Sequence, residues 1–150
     1  MKRLDIYDVD LKYIRDLHNA DSNVMSQSPQ IGKDTRRYLG IIVMVNGQKY
    51  CIPFSSGTKD KYQKKSSAVD LLKIPDIERK NENGSFRTLS VLNINNMIPV
   101  DDLVITKVDL HIKTKDDIKE RQRKGLLQKE LKWCREIVRL FNAGFRRYIR

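Results

Sequence analysis

The hydrophobic positions alternate over short stretches in the first part of the chain and recur at helical spacing near its end. Residues 3–7 alternate and predict a short strand. Asp10 is placed to cap a following short helix, whose apolar face would hold Leu11, Ile14 and Leu17. The chain is therefore predicted to begin with a strand and a helix.

The strongest local signal is a β-hairpin over residues 38–54. The apolar run YLGIIVMV is followed by Asn46-Gly47 and then by QKYCIPF. Asn-Gly favours a type I′ turn, because both central residues of that turn need a positive φ. Pro53 has no N–H for a strand ladder, so it is expected to mark a sheet edge or the end of the strand.

Shorter apolar stretches follow the hairpin. Residues 69–74 form an apolar piece that ends at Pro75, and residues 85–94 predict another strand. Residues 97–100 and 103–112 predict a further strand or two. Three polar segments are predicted as loops: residues 19–35, 55–67 and 77–84.

The last part of the chain carries one apolar stripe at alternating spacings of three and four residues, which predicts an amphipathic helix. This stripe is expected to pack on the sheet. The sum is a single α+β domain over residues 1–150, with an antiparallel sheet and helices packed on it. The stripe consists of Leu127, Leu131, Cys134, Val138, Phe141, Phe145 and Tyr148.

The net charge of the chain narrows the class of partner that it can bind. Thirty Lys and Arg against nineteen Asp and Glu give a net charge of +11. Such an excess indicates a polyanionic partner, and nucleic acid is preferred to an anionic membrane. A basic protein-interaction domain is an alternative. No apolar run is long enough to span a membrane, and the N-terminus has no apolar signal core, so a cytoplasmic protein is expected.

Cys51 and Cys134 are expected to be buried thiols, because neither lies at a metal-binding spacing. No cluster of carboxylates and histidines indicates a metal, and no cofactor is predicted. The sequence also lacks G-x-S-x-G and the P-loop pattern. Neither a nucleophile elbow nor nucleotide hydrolysis is therefore supported.

Ser55 and Ser56 are the main chemical candidates, because two hydroxyls stand at the end of a strand and lysines follow. Hydroxyls and cations can hold a phosphate and stabilise charge that develops on it. If the phosphate belongs to RNA, the ribose 2′-OH itself can attack the phosphorus. Lys59 or Arg36 could then neutralise the phosphate, while a solvated basic loop is the plain alternative.

Aromatic residues among cations suggest contacts with unpaired bases. Tyr38 follows Arg36-Arg37, and Tyr62 lies among lysines, although both tyrosines could instead cover the core. The C-terminal helix has many cations and few acids, which favours a polyanion beside it. The predicted RNA contacts are Lys33, Arg37, Tyr38, Lys61, Tyr62, Lys64 and Lys65, and on the C-terminal helix Lys129, Lys132, Arg135 and Arg139.

Two segments carry a family resemblance. RRYLGIIVMVNGQKYCIPFSS resembles the opening hairpin of the ToxN/AbiQ/CptN toxins, the endoribonucleases of type III toxin–antitoxin systems. LSVLNINNMIPV is similar to that family's Leu-x-x-Ile-Asn-x-x-x-Met-Ile-Pro-Val segment. The resemblance covers residues 1–140, and the two motifs at the right separation are more specific than either alone.

This resemblance implies a strongly bent antiparallel sheet, a Kid/MazF-like barrel core, with helices around it. It implies metal-independent RNA cleavage by the 2′-OH, which leaves a 2′,3′-cyclic phosphate and a 5′-OH. It further implies a pseudoknot RNA antitoxin that is processed and bound in a closed toxin–RNA assembly. The expected roles are phage defence by abortive infection or plasmid maintenance. A non-catalytic RNA-binding module remains the alternative function.

The family's hydroxyl pair maps to Ser55 and Ser56, and its basic residue before the aromatic position maps to Arg36 or Arg37. The family's catalytic lysine normally follows the hydroxyls after one residue. In this chain Gly57-Thr58 intervene, and the lysine is one position late. The catalytic lysine is therefore expected to be Lys59, with Lys61 as the rival.

Overall fold

The computed structural model of the chain describes residues 4–21, 38–56 and 71–148, with the backbone alone for Ser56 and residues 141–148. The predicted α+β class is confirmed, because the described residues form seven strands and two helices, the second of them long. The elements are β1 (Ile6–Val9), α1 (Leu11–Ala20), β2 (Tyr38–Val45), β3 (Gln48–Ser56), β4 (Leu71–Lys80), β5 (Phe86–Asn93), a 3₁₀ turn (Ile94–Asn96), β6 (Ile98–Pro99), β7 (Ile105–Lys107) and α2 (Ile118–Tyr148).

The strands form one seven-stranded antiparallel sheet in the order β4-β5-β3-β2-β1-β7, with β6 also paired to β3. Strand β3 is central and contacts β2, β5 and β6. Strands β4 and β7 end the order without pairing to each other, so the described part of the sheet is open. The predicted barrel core of the Kid/MazF kind remains a prediction.

The hairpin of β2 and β3 is confirmed. Asn46 has φ 50° and Gly47 has φ 80°, as a type I′ turn requires. Gly40 lies opposite Pro53 in this hairpin. A Cβ at Gly40 would lie 2.3 Å from the Ile52 carbonyl oxygen, so only glycine allows the two strands to approach here.

The prediction that Pro53 ends its strand or marks an edge is wrong. Strand β3 continues to Ser56, and Pro53 is the last residue of β3 that pairs with β2. The next residue, Phe54, pairs with Leu92 of β5. The proline therefore stands where β3 changes partners, a point at which a missing N–H removes little from either ladder.

The first strand is displaced from its prediction. Strand β1 covers Ile6–Val9 rather than residues 3–7, because buried Ile6 and Val9 place this stretch between β2 and β7. The cap of α1 is confirmed, since an oxygen of the Asp10 carboxylate accepts a hydrogen bond from the Lys12 backbone N–H at 3.1 Å. The polar segment predicted from residue 19 begins later, because α1 continues to Ala20.

Strand β4 is longer than predicted, since it passes through Pro75 to Lys80. The pairing of β4 with β5 shifts register between Ile74 and Pro75, which accommodates the proline. The loop predicted over residues 77–84 shrinks to a turn at residues 81–85, where Gly84 has φ 86°. Of the predicted ranges 97–100 and 103–112, only Ile98–Pro99 and Ile105–Lys107 are strands, β6 and β7.

The chain divides into two compact units, residues 6–108 and residues 109–150 together with residues 1–5. The core of the first unit contains Val9, Ile14, Tyr38, Cys51, Ile98 and Val100.

In the second unit, the Lys124 ammonium lies 2.8 Å from an oxygen of the Asp116 carboxylate and donates to the His111 carbonyl at 2.8 Å. Leu127, Leu131 and Cys134 of α2 are buried. The packing of the whole helical stripe on the sheet remains a prediction.

Candidate active site

The two candidate serines lie in a strand and not in the predicted loop. Ser55 and Ser56 are the last residues of β3. They pair with Val91 and Ser90 of the neighbouring strand β5. Because β3 is paired with β5 at both serines, the Ser55 hydroxyl is presented from a strand of the sheet.

Strand β5 supplies an amide to Ser55. Asn93 is only 5% exposed, and its side-chain Nδ2 donates a hydrogen bond to the Ser55 hydroxyl oxygen. Ser55 is half-buried, so part of this residue is open to solvent. With its oxygen accepting from Asn93, the hydroxyl keeps its own proton for another acceptor, such as a phosphate oxygen.

Strand β5 also carries a buried hydroxyl next to the end of β3. Ser90 stands opposite Ser56 in the strand register and is 2% exposed. Its Oγ has no hydrogen-bond partner among the described residues, although a buried hydroxyl normally has one. Because side chains alternate between the two faces along a strand, Ser90 lies on the face of β5 opposite to that of Asn93, which bonds Ser55.

Strand β4 adds a lysine to this part of the sheet. Lys73 lies opposite Val91, which in turn lies opposite Ser55. Neighbouring strands are about 4.8 Å apart, so the Lys73 and Ser55 backbones are separated by about 10 Å. A lysine side chain can cover much of that distance. Sequence reasoning did not select Lys73, because only the strand order brings β4 near β3.

The catalytic candidates Arg36 and Lys59 lie outside the described residues. Their chain positions can still be compared with the hairpin. Tyr38 begins β2 and Ser56 ends β3, and the antiparallel register puts these two ends at the same end of the hairpin. The predicted RNA contacts Lys33, Arg37, Lys61, Tyr62, Lys64 and Lys65 also lie outside the described residues.

The prediction that Tyr38 stacks on a base is wrong for this structure. Tyr38 is 1% exposed and belongs to the core, where it lies beside Cys51. Burial raises the pKa of the Tyr38 hydroxyl, which stays protonated. The alternative from the sequence, a tyrosine that covers the core, describes this residue.

The predicted cations of α2 divide into two kinds. Lys129, Lys132 and Arg139 are exposed, and Arg139 pairs with Glu136 at 2.6 Å. Arg135 is different, because it donates at 2.8 Å to both the Leu4 carbonyl and the Asp5 carboxylate. Its guanidinium therefore holds residues 4–5 against α2, and the prediction that Arg135 contacts RNA stays a prediction.

Neither cysteine suits nucleophilic chemistry. Both thiols are free and buried, as predicted. Burial raises the pKa of Cys51 to about 12, and burial together with the nearby Glu130 raises that of Cys134 to about 12. Both are therefore protonated near neutral pH, which leaves the hydroxyls as the reactive side chains of interest. Within the described part of the chain, no helix is long and apolar enough to cross a membrane.

These observations define an α+β protein whose central antiparallel strand ends in a serine pair beside buried polar groups. The chain belongs to the family described as toxin ToxN of type III toxin–antitoxin systems, whose family model matches residues 5–143. It is 25% identical over 133 residues to the endoribonuclease ToxN of Pectobacterium atrosepticum. That alignment covers 88% of this chain and 71% of the relative.

Two solved structures have a similar fold. One comes from work on selective toxin inhibition by a non-coding RNA pseudoknot in bacterial type III toxin–antitoxin systems. Its TM-score is 0.69 at 21% identity, covering 98% of this chain and 79% of that one. The other is AbiQ, a lactococcal anti-phage endoribonuclease of a type III system, with a TM-score of 0.64 at 28% identity. The alignment covers 91% of this chain and 74% of the AbiQ chain.

Proposed function

We propose that this protein is a cytoplasmic endoribonuclease toxin that cuts RNA without a metal and is inhibited by a structured RNA. The observation that carries the proposal is the serine pair of the family hairpin, which ends β3 and has the Ser55 oxygen held by Asn93. The family match over residues 5–143 and a relative named as an endoribonuclease support the same activity.

In the proposed reaction the 2′-oxygen of the RNA forms a bond to the adjacent phosphorus, and the bond from phosphorus to the 5′-oxygen breaks. One proton leaves the 2′-hydroxyl and one reaches the 5′-oxygen. The products are a 2′,3′-cyclic phosphate and a 5′-OH. The chain itself need not supply a nucleophile, so its tasks are to orient the phosphate, to stabilise the charge that develops on it and to transfer the two protons.

Each candidate has a role in this scheme. The hydroxyls of Ser55 and Ser56 donate to oxygens of the scissile phosphate. Lys59, with Lys61 as the rival, and Arg36 neutralise the charge that grows on those oxygens. Hydrogen-bond donors aimed at developing charge are a major source of rate acceleration, because they are already oriented when the reaction begins.

The proposed inhibitor is a repeat-encoded RNA that the toxin processes and that folds into a pseudoknot within a closed toxin–RNA assembly. A net charge of +11 supports a polyanionic partner of this kind. The proposed biological role is phage abortive infection or plasmid maintenance. A Kid/MazF-like bent sheet is the corresponding proposal for the fold.

The test is RNA cleavage by the purified chain in EDTA, with the product ends identified. We expect cleavage to proceed with the chelator and to leave cyclic phosphate ends. Loss of cleavage that magnesium restores would contradict the metal-independent mechanism. RNA binding without cleavage under every condition would favour the non-catalytic RNA-binding module instead.

A further inference from the structure

Asn93 is a polar residue in a position that usually holds an apolar one. It ends β5 directly after the buried residues Val91 and Leu92, and it is itself 5% exposed. A buried amide costs free energy unless its hydrogen bonds are made. Its Nδ2 makes one of them to the Ser55 hydroxyl, which belongs to a strand 38 residues earlier in the chain.

The direction of this bond determines what the Ser55 hydroxyl can do. An amide N–H has a proton to give, so the Ser55 oxygen must accept. The hydroxyl proton then points away from Asn93, and Ser55 is half-buried, so a substrate atom can reach this residue. A hydroxyl whose oxygen accepts a hydrogen bond is also a stronger donor, because hydrogen bonds in a chain polarise one another.

We infer that Asn93 is a positioning residue for Ser55: its amide fixes the hydroxyl so that the proton faces the scissile phosphate of the RNA. This inference rests on the proposed function. Backbone pairing of β3 with β5 already joins the two strands at Phe54, Ser55 and Ser56, so the side-chain bond is not needed to hold them together.

The substitution Asn93→Asp tests the direction of the bond with little change in shape. The new carboxylate has no proton to give and accepts one from Ser55 instead, which turns the hydroxyl away from the substrate. We expect the cleavage rate at saturating RNA to fall by about 100-fold, the size of effect seen when a reacting group is misplaced. The RNA concentration for half-maximal rate should change little.

The chain contains a matched control. The side-chain Nδ2 of Asn81 donates to the Ser85 hydroxyl at 3.1 Å, the same kind of bond in the exposed turn between β4 and β5. Asn81→Asp makes the same chemical change away from the serine pair, so its cleavage rate should equal that of the wild type. Thermal melts of both variants measure any general loss of stability.

Asn93→Ala provides a second variant without a new charge. It removes the donor and should also slow cleavage. If the Asn93→Asp chain fails to fold, Asn93→Ala decides the inference, and a wild-type rate for it overturns the inference.

Combination with Ser55→Ala separates positioning from a structural role. If Asn93 acts through Ser55, then Asn93→Asp should cost almost nothing further in the Ser55→Ala background, because coupled residues are not additive. An equal loss with and without Ser55 would overturn the inference. A wild-type chain that leaves RNA intact would overturn the proposed function and this inference with it, whereas an active wild type with an unaffected Asn93→Asp variant would overturn the inference alone.

Discussion

The end of β3 and the outer face of α2 are both polar, but they use polar groups in opposite ways. At the end of β3 the polar groups Asn93 and Ser90 of β5 are buried, being 5% and 2% exposed. On α2 the cations are many and exposed, and Arg139 has an acidic partner one turn away. Solvated charge costs little, whereas a buried polar group costs free energy unless it is paired. Burial therefore identifies a candidate site better than the amount of charge.

The largest expected effect follows from removal of a hydroxyl at the end of β3. Ser55→Ala and Ser56→Ala should each slow RNA cleavage by about 100- to 1000-fold, the usual cost of one preorganised donor. Single-turnover cleavage of a short RNA measures this effect directly.

Ser85→Ala is the control for these variants, because it removes a hydroxyl from an exposed turn of the same sheet. Its cleavage rate should stay at the wild-type value. If either site variant cleaves as fast as Ser85→Ala, that serine does not contact the phosphate, and the contrast between buried and exposed polar groups loses its functional meaning.

Local sequence predicted the elements whose chemistry is local. The Asn46-Gly47 turn, the Asp10 cap and the C-terminal helix depend on neighbours in the chain, and all three are present. Hydroxyls at a strand end and the family motif also predict the serine pair as a candidate site. They do not predict its surroundings, because the bond from Asn93 to Ser55 depends on how β5 pairs with β3, which no local pattern specifies.

Tyr38 and Arg135 show the same limit through contacts that are distant in the sequence. Tyr38 stands next to arginines in the sequence, yet the sheet turns its ring into the core, where it cannot stack on a base. Arg135 lies among the cations of α2, yet its partners Leu4 and Asp5 come from the far end of the chain. No local pattern specifies either contact. A polar residue within a buried stretch, such as Asn93 after Val91 and Leu92, was the signal that could have been used.

A smaller effect should separate the two kinds of arginine on α2. Arg135→Ala removes bonds to Leu4 and Asp5, with the two charged side chains 27% and 23% exposed. We expect a loss of about 1–2 kcal/mol in the free energy of unfolding, because bonds to charged groups are strong but this pair is partly solvated. Urea unfolding at constant pH measures the loss.

Arg139→Ala is the matched comparison for this stability change. Its ion pair with Glu136 is exposed on both sides and lies within one helical turn. Such pairs contribute little, so the unfolding midpoint should stay at the wild-type value. Equal destabilisation by the two substitutions would contradict the structural role assigned to Arg135.

The smallest expected effect concerns antitoxin binding by the exposed cations of α2. Lys132→Glu combined with Arg139→Glu should weaken binding of the antitoxin RNA a few-fold while cleavage of a short RNA stays nearly unchanged. If both residues contact phosphates, the slope of log affinity against log salt should fall by about 1.4, since each single-strand phosphate contact contributes about 0.7.

Lys12→Glu with Arg15→Glu, on exposed positions of α1, makes the same change in net charge and serves as the control. Equal weakening by both pairs would mean that net charge alone attracts the RNA, because long-range steering depends on the whole charge distribution. No weakening by either pair would leave the outer face of α2 as a solvated surface, and would confine the functional polar groups to the end of β3.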